Sequence, residues 1–448
     1  MPAVYPFKAI HYPAGDVSRK VAPPYDVLDL AGRDALAAAD DANIVSIDLP
    51  HVPAKELGPP AAYSGAAAKL ETLLASGQLL RRETPAMFAY RQSFEAEGKT
   101  YRRSGMACTL DNIDFGPRDG GGVLPHEQTF SGPKEDRMAL MKATACQTSP
   151  IFGLHADEQG SATRVVQTVC ESRPADLTAD LGDGVVHEVW AIDDETTINA
   201  YRDALAGEDV FIADGHHRYT TQLNYLKSLA QGGKDIPPDH PARRTMFVLV
   251  GMSDPGLYIG PTHRVLGGMS GYSIEAFQEA AAGLLDIEPC DNDPMNFDHE
   301  IERVASKTGR NTVGLMDFAT GLCFCASPSV DDPLSDDFAD RDESWRRLDV
   351  AIVQHLIVDQ VCKAQLNEGS DVKWAFPHSI PEVIEIGRGK ETGAGGGSGF
   401  AQLAVVVRPT PLEAVRDVSK AGELMPQKST FFYPKLATGL FLNPLSDG

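Results

Sequence analysis

Short apolar runs of strand character alternate with helix-like stretches along most of this chain. MFAYRQSF and YRRSGMACTL precede PKEDRMALMKATAC, VVHEVWAI precedes ETTINAYRDALA, and NIVSIDL precedes AAYSGAAAKLETLLASG. Period-2 alternation is typical of strands, and apolar residues three or four apart are typical of helices. No repeat of 20–50 residues is visible, which disfavours a solenoid. The sequence therefore predicts a mixed α/β (α+β) fold.

Glycine- and proline-rich loops divide this pattern. A length of 448 residues allows two or three domains. The strongest loop signals are at 114–127 and 387–400, and an acidic loop precedes a long amphipathic helix predicted over roughly 345–365. We predict an N-terminal α/β region over 1–115, a core over 116–270 and a C-terminal α/β region over 271–448.

The net charge of the chain disfavours partners that are themselves negatively charged. Lys and Arg total 40 against 63 Asp and Glu, a net charge of −23, which repels nucleic-acid backbones and anionic membranes. No run approaches the length of a membrane span, and the N-terminus lacks the apolar core of a signal peptide. The seven cysteines are scattered without a CxxC pair. These features predict a cytoplasmic protein with no nucleic-acid or membrane partner, and the cysteine spacing assigns no metal ligands.

The segment EDVFIADGHHRYTTQLNYL, residues 208–226, carries the densest chemistry. Its first half predicts a buried strand, DG a sharp turn, and the remainder a helix. A tight turn from strand to helix leaves backbone N–H groups at the positive end of the helix dipole, which favours an anion. Two histidines and an arginine add donors for phosphate. The predicted members of this phosphate site are Asp214, Gly215, His216, His217, Arg218 and Tyr219.

Two other interpretations of this segment stay open. A strand–DG–helix junction is ordinary turn chemistry, and its charges could simply pair with one another. A metal held by Asp214 and one histidine is the second alternative. Consecutive histidines point in different directions on a helix, so His216 and His217 could not easily share one ion.

A second segment rich in acids and bases, LPHEQTFSGPKEDR, spans a loop and the start of a helix. Glu127 or Asp136 could take a proton from a substrate hydroxyl or hold Mg²⁺ with hard oxygens. His126, Lys134 and Arg137 are candidate phosphate ligands. The alternative is a solvated helix start with surface ion pairs.

Three shorter segments supply further candidates. PTHRVLG sets His263 and Arg264 after a hydrophobic region, as a second phosphate contact or as a structural pair. MPQKSTFFYPKLATGL contributes Lys428, which could neutralise a transferring phosphoryl group, and also Lys435. Near the N-terminus, PPYD predicts a rigid turn with an exposed Tyr25 and indicates no role for it.

ADGHHRY resembles the signature of the ParB/sulfiredoxin-like superfamily, in which a strand–turn–helix motif binds nucleotide phosphates, and its DGHHR variant is similar to that of free-serine kinases. The whole chain also resembles a bacterial and archaeal family of uncharacterised proteins, through APPYDVL, LPHEQTFSGPKEDR, QTSPIF, ADGHHRY, PTHRVL and MPQKSTFFYPKLATGL. The resemblance implies a ParB/sulfiredoxin-like core between N- and C-terminal α/β regions, with ATP or ADP, with or without Mg²⁺, as cofactor. Sulfiredoxin chemistry is disfavoured because a histidine stands at the position of its cysteine.

These observations predict a nucleotide-dependent phosphotransferase acting on a small hydroxylated metabolite, and the resemblance implies free serine or a similar hydroxy acid. Arg218 would bind phosphate, His216 or His217 would donate to it, and Glu127 would act as base. Asp214 would orient a histidine or Mg²⁺. The partners would be nucleotide and a small phosphorylated compound, and a homo-oligomer is compatible with the sequence. The alternatives are a phosphatase of a small phosphomonoester such as phosphoserine, and a non-catalytic nucleotide sensor.

Overall fold

The computed structural model of this chain describes residues 3–54, 56–127, 132–231, 235–390, 392 and 397–446. Parts of three predicted loop segments, at 128–131, 232–234, and 391 with 393–396, lie outside the described residues. The chain divides into two compact units, one of residues 1–258 with 432–448 and one of residues 259–431. This division is drawn differently from the three predicted regions, which stay a prediction, because the end of the chain belongs to the first unit.

The first unit is built around a mixed sheet. Its strands are β1 Val4–Tyr5, β2 Ile10–His11, β3 Gly15–Asp16, β4 Leu80–Arg81, β5 Met87–Ala96, β6 Lys99–Asp111, β7 Val123–Leu124, β8 Cys146–Gln147, β9 Ile151–His155, β10 Leu177–Asp180, β11 Val186–Ile192, β12 Val210–Asp214 and β13 Arg244–Gly251. Its helices are α1 Leu30–Ala39, α2 Val45–Asp48, α3 Pro60–Ala75, α4 Gly132–Thr144, α5 Ser161–Ser172, α6 Glu195–Ala204 and α7 His216–Leu229. A 3₁₀ turn covers Tyr25–Val27.

The main sheet runs in the order β3-β10-β11-β5-β6-β13-β9-β12-β7, with β1 beside β6. The pairs β13–β9 and β12–β7 are parallel, whereas β9–β12 and β5–β6 are antiparallel. Alternate residues of the central strands pack against α5, α6 and α7, and this core includes Met106, Trp190, Ile212 and Phe247. Because β12 pairs with β9, the end of β12 lies beside the start of β9 near one edge of the sheet.

The second unit has a sheet of its own. The chain enters this unit at strand β14 Tyr258–Gly260. The sheet consists of β15 Arg264–Gly267, β16 Leu285–Pro289, β17 Val313–Asp317, β18 Cys323–Pro328, β19 Lys373–Ala375 and β20 Ala401–Val406. Its strands run in the order β16-β18-β17-β20-β15-β19. Its helices are α8 Ile274–Ala280, α9 Phe297–Thr308, α10 Glu343–Arg346, α11 Asp349–Ile352, α12 Ile380–Gly387 and α13 Leu412–Lys420. The chain leaves this unit through β21 Phe431–Tyr433 and ends with β22 Asn443–Pro444, which pairs with β8 in the first unit.

The mixed α/β fold predicted from the sequence is confirmed, with two local corrections. NIVSIDL was expected to be a strand, but it contains the helical turn α2, because the Asn43 side chain accepts a hydrogen bond from the Val45 amide and donates to two backbone carbonyls. The long helix expected over 345–365 is divided into α10, α11 and a π-helix over Val353–Lys363. Within the described ranges, no helix combines the length and apolar character needed to cross a bilayer.

Candidate functional site

The turn between β12 and α7 forms as the sequence predicts. β12 ends at Asp214 and α7 begins at His216. Gly215 has a φ of 101°, which favours glycine, and a Cβ at this position would lie 3.1 Å from the Arg218 guanidinium. Gly215, the N-cap residue, has no side chain to cap the helix, and the first backbone N–H groups of α7 lie at the positive end of the dipole.

Asp214 is held between two cations. One carboxylate oxygen accepts a hydrogen bond from Lys435 Nζ at 2.5 Å. The other accepts from Arg218, which also donates to the Pro150 carbonyl. Asp214 thus pairs with two cations at the start of α7.

Asp214, Arg218 and Lys435 form a triad, and their mutual electrostatics keep all three groups charged at neutral pH. Burial alone would raise the pKa of Asp214, but the charges of Lys435 and Arg218 outweigh it and hold the pKa well below its usual range. Burial opposes the charge on Lys435, and the neighbouring Asp214 outweighs burial and raises its pKa. The side chains are mostly shielded, with exposed fractions of 12% for Arg218, 18% for Asp214 and 24% for Lys435.

His126 and His216 form an edge-to-face pair next to the triad, with ring centroids 4.8 Å apart. His216 Nε2 accepts a hydrogen bond from the His126 amide at 3.2 Å, and His126 Nδ1 lies 2.8 Å from the Ile212 carbonyl oxygen, to which it donates. Both side chains are buried, and burial lowers the pKa of each imidazole. His216 therefore stays neutral and supports the segment that leads to Glu127.

His217 faces a mixed group of charges. It is half-buried, and burial followed by the nearby Lys134 lowers its pKa, against the opposing effects of Glu127 and Asp26. Arg218 also lies within electrostatic range of His217. The structure therefore brings the predicted residues Glu127, Lys134 and His217 together at the helix start.

Arg137 and Asp136 have structural partners. Arg137 donates to Asp136 and to the backbone carbonyl of Asp48, and its guanidinium lies 4.3 Å from the ring centroid of Tyr25. Asp136 also accepts from Tyr63 and from His51. This occupied network gives Arg137 and Asp136 a scaffold role. Tyr25 was expected to be exposed, and it is buried beneath Arg137.

A small cavity of about 30 Å³ lies behind Arg218. Tyr25, Asp48, Arg137 and Ser149 are among the residues that line it. A cavity of this volume has room for about one or two water molecules. A nucleotide does not fit in a cavity of this volume.

The other four predicted residues are a tyrosine of α7 and three residues of the second unit. Tyr219, three residues beyond His216 on α7, is fully buried, because this helical position faces the sheet, and its hydroxyl bonds to the backbone of Ile113. The remaining three belong to the second unit: His263, Arg264 and Lys428. Arg264 is buried and donates to the Lys428 carbonyl, and burial lowers the pKa of His263 to about 4.

Two residues near the turn were given no role from the sequence. Asp26 lies within electrostatic range of Lys435 and Arg218, and Lys435 binds Asp214 directly. Their segments APPYDVL and YPKLATGL carry the family resemblance, which was the available signal for both. Among the described residues, no group of three or more His, Cys, Asp or Glu is arranged to hold a metal ion.

Comparisons with known proteins give one family and distant structural likenesses. A family model described as "Protein of unknown function (DUF1015)" matches residues 4–351. No curated protein matches the chain. Solved structures similar to it include a free serine kinase mutant in complex with AMP (12% identity, TM-score 0.34, covering 73% of this chain and 95% of that chain). A conserved hypothetical protein from Pyrococcus furiosus (12%, 0.33, 73% and 98%) and SbnI from Staphylococcus aureus (9%, 0.32, 71% and 84%) are also similar.

Proposed function

We propose a function for this chain from the premise that it belongs to the DUF1015 family. We propose that it is a nucleotide-dependent phosphotransferase that acts on a small hydroxylated metabolite such as free serine. In this proposal, the start of α7 binds the nucleotide phosphates and the acceptor hydroxyl lies on the side of Glu127. The observation that carries it is the Asp214–Arg218–Lys435 triad at the start of α7.

The charge distribution supports phosphate binding at this turn. The triad places two cations and one carboxylate beside the helix dipole in a chain whose net charge is −23, with Asp26 within electrostatic range of both cations. Asp214 fixes both cations, so little side-chain entropy remains to be lost when an anion binds. Phosphoryl transfer depends mainly on positioning and charge neutralisation, and this arrangement supplies both.

In the proposed reaction, groups at the turn accept the proton of the acceptor hydroxyl and stabilise the charge of the phosphoryl group. The acceptor hydroxyl gives its proton to the carboxylate of Glu127, its oxygen forms a bond to the terminal phosphorus, and the bond from that phosphorus to the leaving nucleotide oxygen breaks. Arg218, Lys435 and the helix N–H groups stabilise the charge on the transferring phosphoryl group. Lys134 and a neutral His217 would be donors on the same side.

The two buried histidines are positioning residues in this proposal. His216 accepts the His126 amide hydrogen bond, and His126 in turn donates to the end of β12. They hold the chain just before Glu127 at a fixed distance from the turn. Arg137 supports α4, on which Lys134 is located.

The proposal is tested by titrating ATP and ADP into the protein by calorimetry, with and without Mg²⁺, and by following ³¹P signals with serine and other small hydroxylated compounds. We expect nucleotide binding, and phosphate transfer only when nucleotide and acceptor are both present. The variant Lys435→Met should weaken nucleotide binding by about tenfold or more, since a charge-assisted contact to phosphate contributes roughly 1.5–3 kcal/mol.

Lys227→Met is the matched control, because Lys227 lies in the last turn of the same helix with a side chain 67% exposed. It should bind nucleotide as the unmodified chain does. Absence of nucleotide binding under both conditions would refute the proposal. Phosphate release from phosphoserine without nucleotide would favour the phosphatase, and binding without any transfer would favour the nucleotide sensor.

A further inference from the structure

A second cavity, of about 340 Å³, lies in the first unit away from the β12–α7 turn. Phe88, Leu177 and Val189 form its apolar floor, on the neighbouring strands β5, β10 and β11. His11 of β2 and Arg82, which directly follows β4, contribute one wall. The volume lies in the range of about 300–1,000 Å³ that is typical of small-molecule sites.

Two ion pairs border this cavity. In one of them, both side chains already form several hydrogen bonds within the protein. Both terminal nitrogens of Arg173 donate to Asp176, at 2.6 and 2.9 Å, and Arg173 also donates to the Ala191 carbonyl. Asp176 accepts the Ala191 amide as well. This pair therefore stabilises the wall and leaves little capacity for a ligand.

The second pair is looser. A single contact of 3.3 Å joins Arg82 to Asp193, whose side chain is 62% exposed. The Arg82 guanidinium also lies over the Phe88 ring, 5.9 Å from its centroid. A cation and an anion thus stand side by side at the edge of an apolar floor, and each has capacity for a further polar partner.

We propose that this cavity binds an α-amino acid with a large apolar side chain. The ligand carboxylate would bind Arg82, its ammonium group would bind Asp193, and its side chain would lie in the cavity that Phe88, Leu177 and Val189 line. The two ion pairs make the border neutral overall, which matches a zwitterion. A phosphate dianion would be repelled by Asp193 and Asp176, and a purely apolar ligand would leave the looser pair unused.

This site shares no residue with the β12–α7 turn, so its occupancy does not depend on the proposed phosphotransfer. L-phenylalanine is the first probe. Isothermal calorimetry should show one site for L-phenylalanine, and affinity should fall about tenfold or more for N-acetyl-L-phenylalanine, 2-phenylethylamine and glycine, which lack in turn the ammonium group, the carboxylate and the side chain.

The variants Arg82→Gln and Asp193→Asn should each weaken L-phenylalanine binding by about tenfold. Arg102→Gln and Asp203→Asn are charge-matched controls at exposed positions of the same unit and should keep the original affinity. Circular dichroism checks that the variants fold. The proposal is overturned if L-phenylalanine gives no heat up to about 10 mM, if any of the three analogues binds as well as L-phenylalanine, or if both variants bind like the controls.

Discussion

At the scale of single residues, Asp214 determines the chemistry of the β12–α7 turn. Its carboxylate is the shared partner of Lys435 and Arg218, so it holds both cations at the start of the helix. Without it, two largely buried positive charges would lose the carboxylate that bonds to both of them. The residue that prepares the turn for phosphate in the proposed function is therefore also expected to stabilise the fold.

Asp214→Asn tests this dependence because it keeps the side-chain shape and removes the charge. We expect the free energy of unfolding to fall by about 3 kcal/mol, the cost typical of removing one partner of a buried pair. Urea unfolding measures the loss, and inorganic phosphate should restore part of it by supplying an anion. Asp203→Asn, at an exposed position, is the control. A loss no larger than that of the control would contradict the assigned role of the carboxylate.

Two features of Gly215 can be tested by substitution: its backbone conformation and its short distance from Arg218. Gly215→Ala meets an unfavourable φ of 101° and a contact of 3.1 Å with Arg218, whereas Gly207→Ala meets a φ of 82° with nothing within 4 Å. Each alanine should cost about 1 kcal/mol in unfolding free energy for its backbone conformation. Only Gly215→Ala should also displace Arg218 and weaken nucleotide binding. Equal nucleotide affinity in the two variants would show that the guanidinium position is unimportant for binding.

At the scale of elements, the segment after β21 completes the site, and the buried Arg103 holds it. Arg103 on β6 donates to the carbonyls of Tyr433 and Pro434 and to Gln92, and Gln92 in turn donates to the Lys435 carbonyl. Burial lowers the pKa of Arg103 to about 10, so its guanidinium is still charged at neutral pH. Backbone carbonyls thus anchor the segment that delivers Lys435 to Asp214.

Arg103→Met removes these donors and retains most of the side-chain volume. We expect a loss of about 2–4 kcal/mol in unfolding free energy, because several buried carbonyl oxygens lose their partners. Nucleotide affinity should fall as well, because Lys435 is no longer held in place. Arg102→Met changes the exposed neighbour on the same strand and should leave both quantities nearly unchanged. If Arg103→Met is destabilised but binds nucleotide normally, the hydrogen bonds of Arg103 to this segment are not required for nucleotide binding.

The elements also show which parts of the molecule local sequence can predict. The strand β12, the DG turn and α7 follow from apolar periodicity and glycine, and the structure confirms them. α2 was misread because Ile44, Val45 and Ile47 suit a strand equally well, and a single Asn43 side chain decides for the helical turn. The Asp214–Lys435 pair joins residues 221 positions apart, so only the folded chain could reveal it.

At the scale of the whole molecule, buried neutral histidines make stability depend on pH. Burial, and then the charge of Arg103, lowers the pKa of His187 to about 4, and burial and then Arg264 lower that of His263 to about 4. One of these residues lies in each unit. A depressed pKa in the folded state means that the unfolded chain binds the proton first as pH falls, so acid favours unfolding in both units.

The stabilising contribution of each histidine should be complete above its unfolded pKa of about 6.5 and should decrease as pH falls toward 4. At pH 5 we expect a loss of about 2 kcal/mol for each of the two residues relative to pH 7.5, since one pKa unit corresponds to about 1.4 kcal/mol. Urea unfolding across this range measures it. His187→Gln should flatten the pH dependence, and His299→Gln, where the side chain is 80% exposed, should not. If stability stayed constant from pH 7.5 to 5, both imidazoles would have to accept protons inside the folded chain, which would require water or an acidic partner beside each ring.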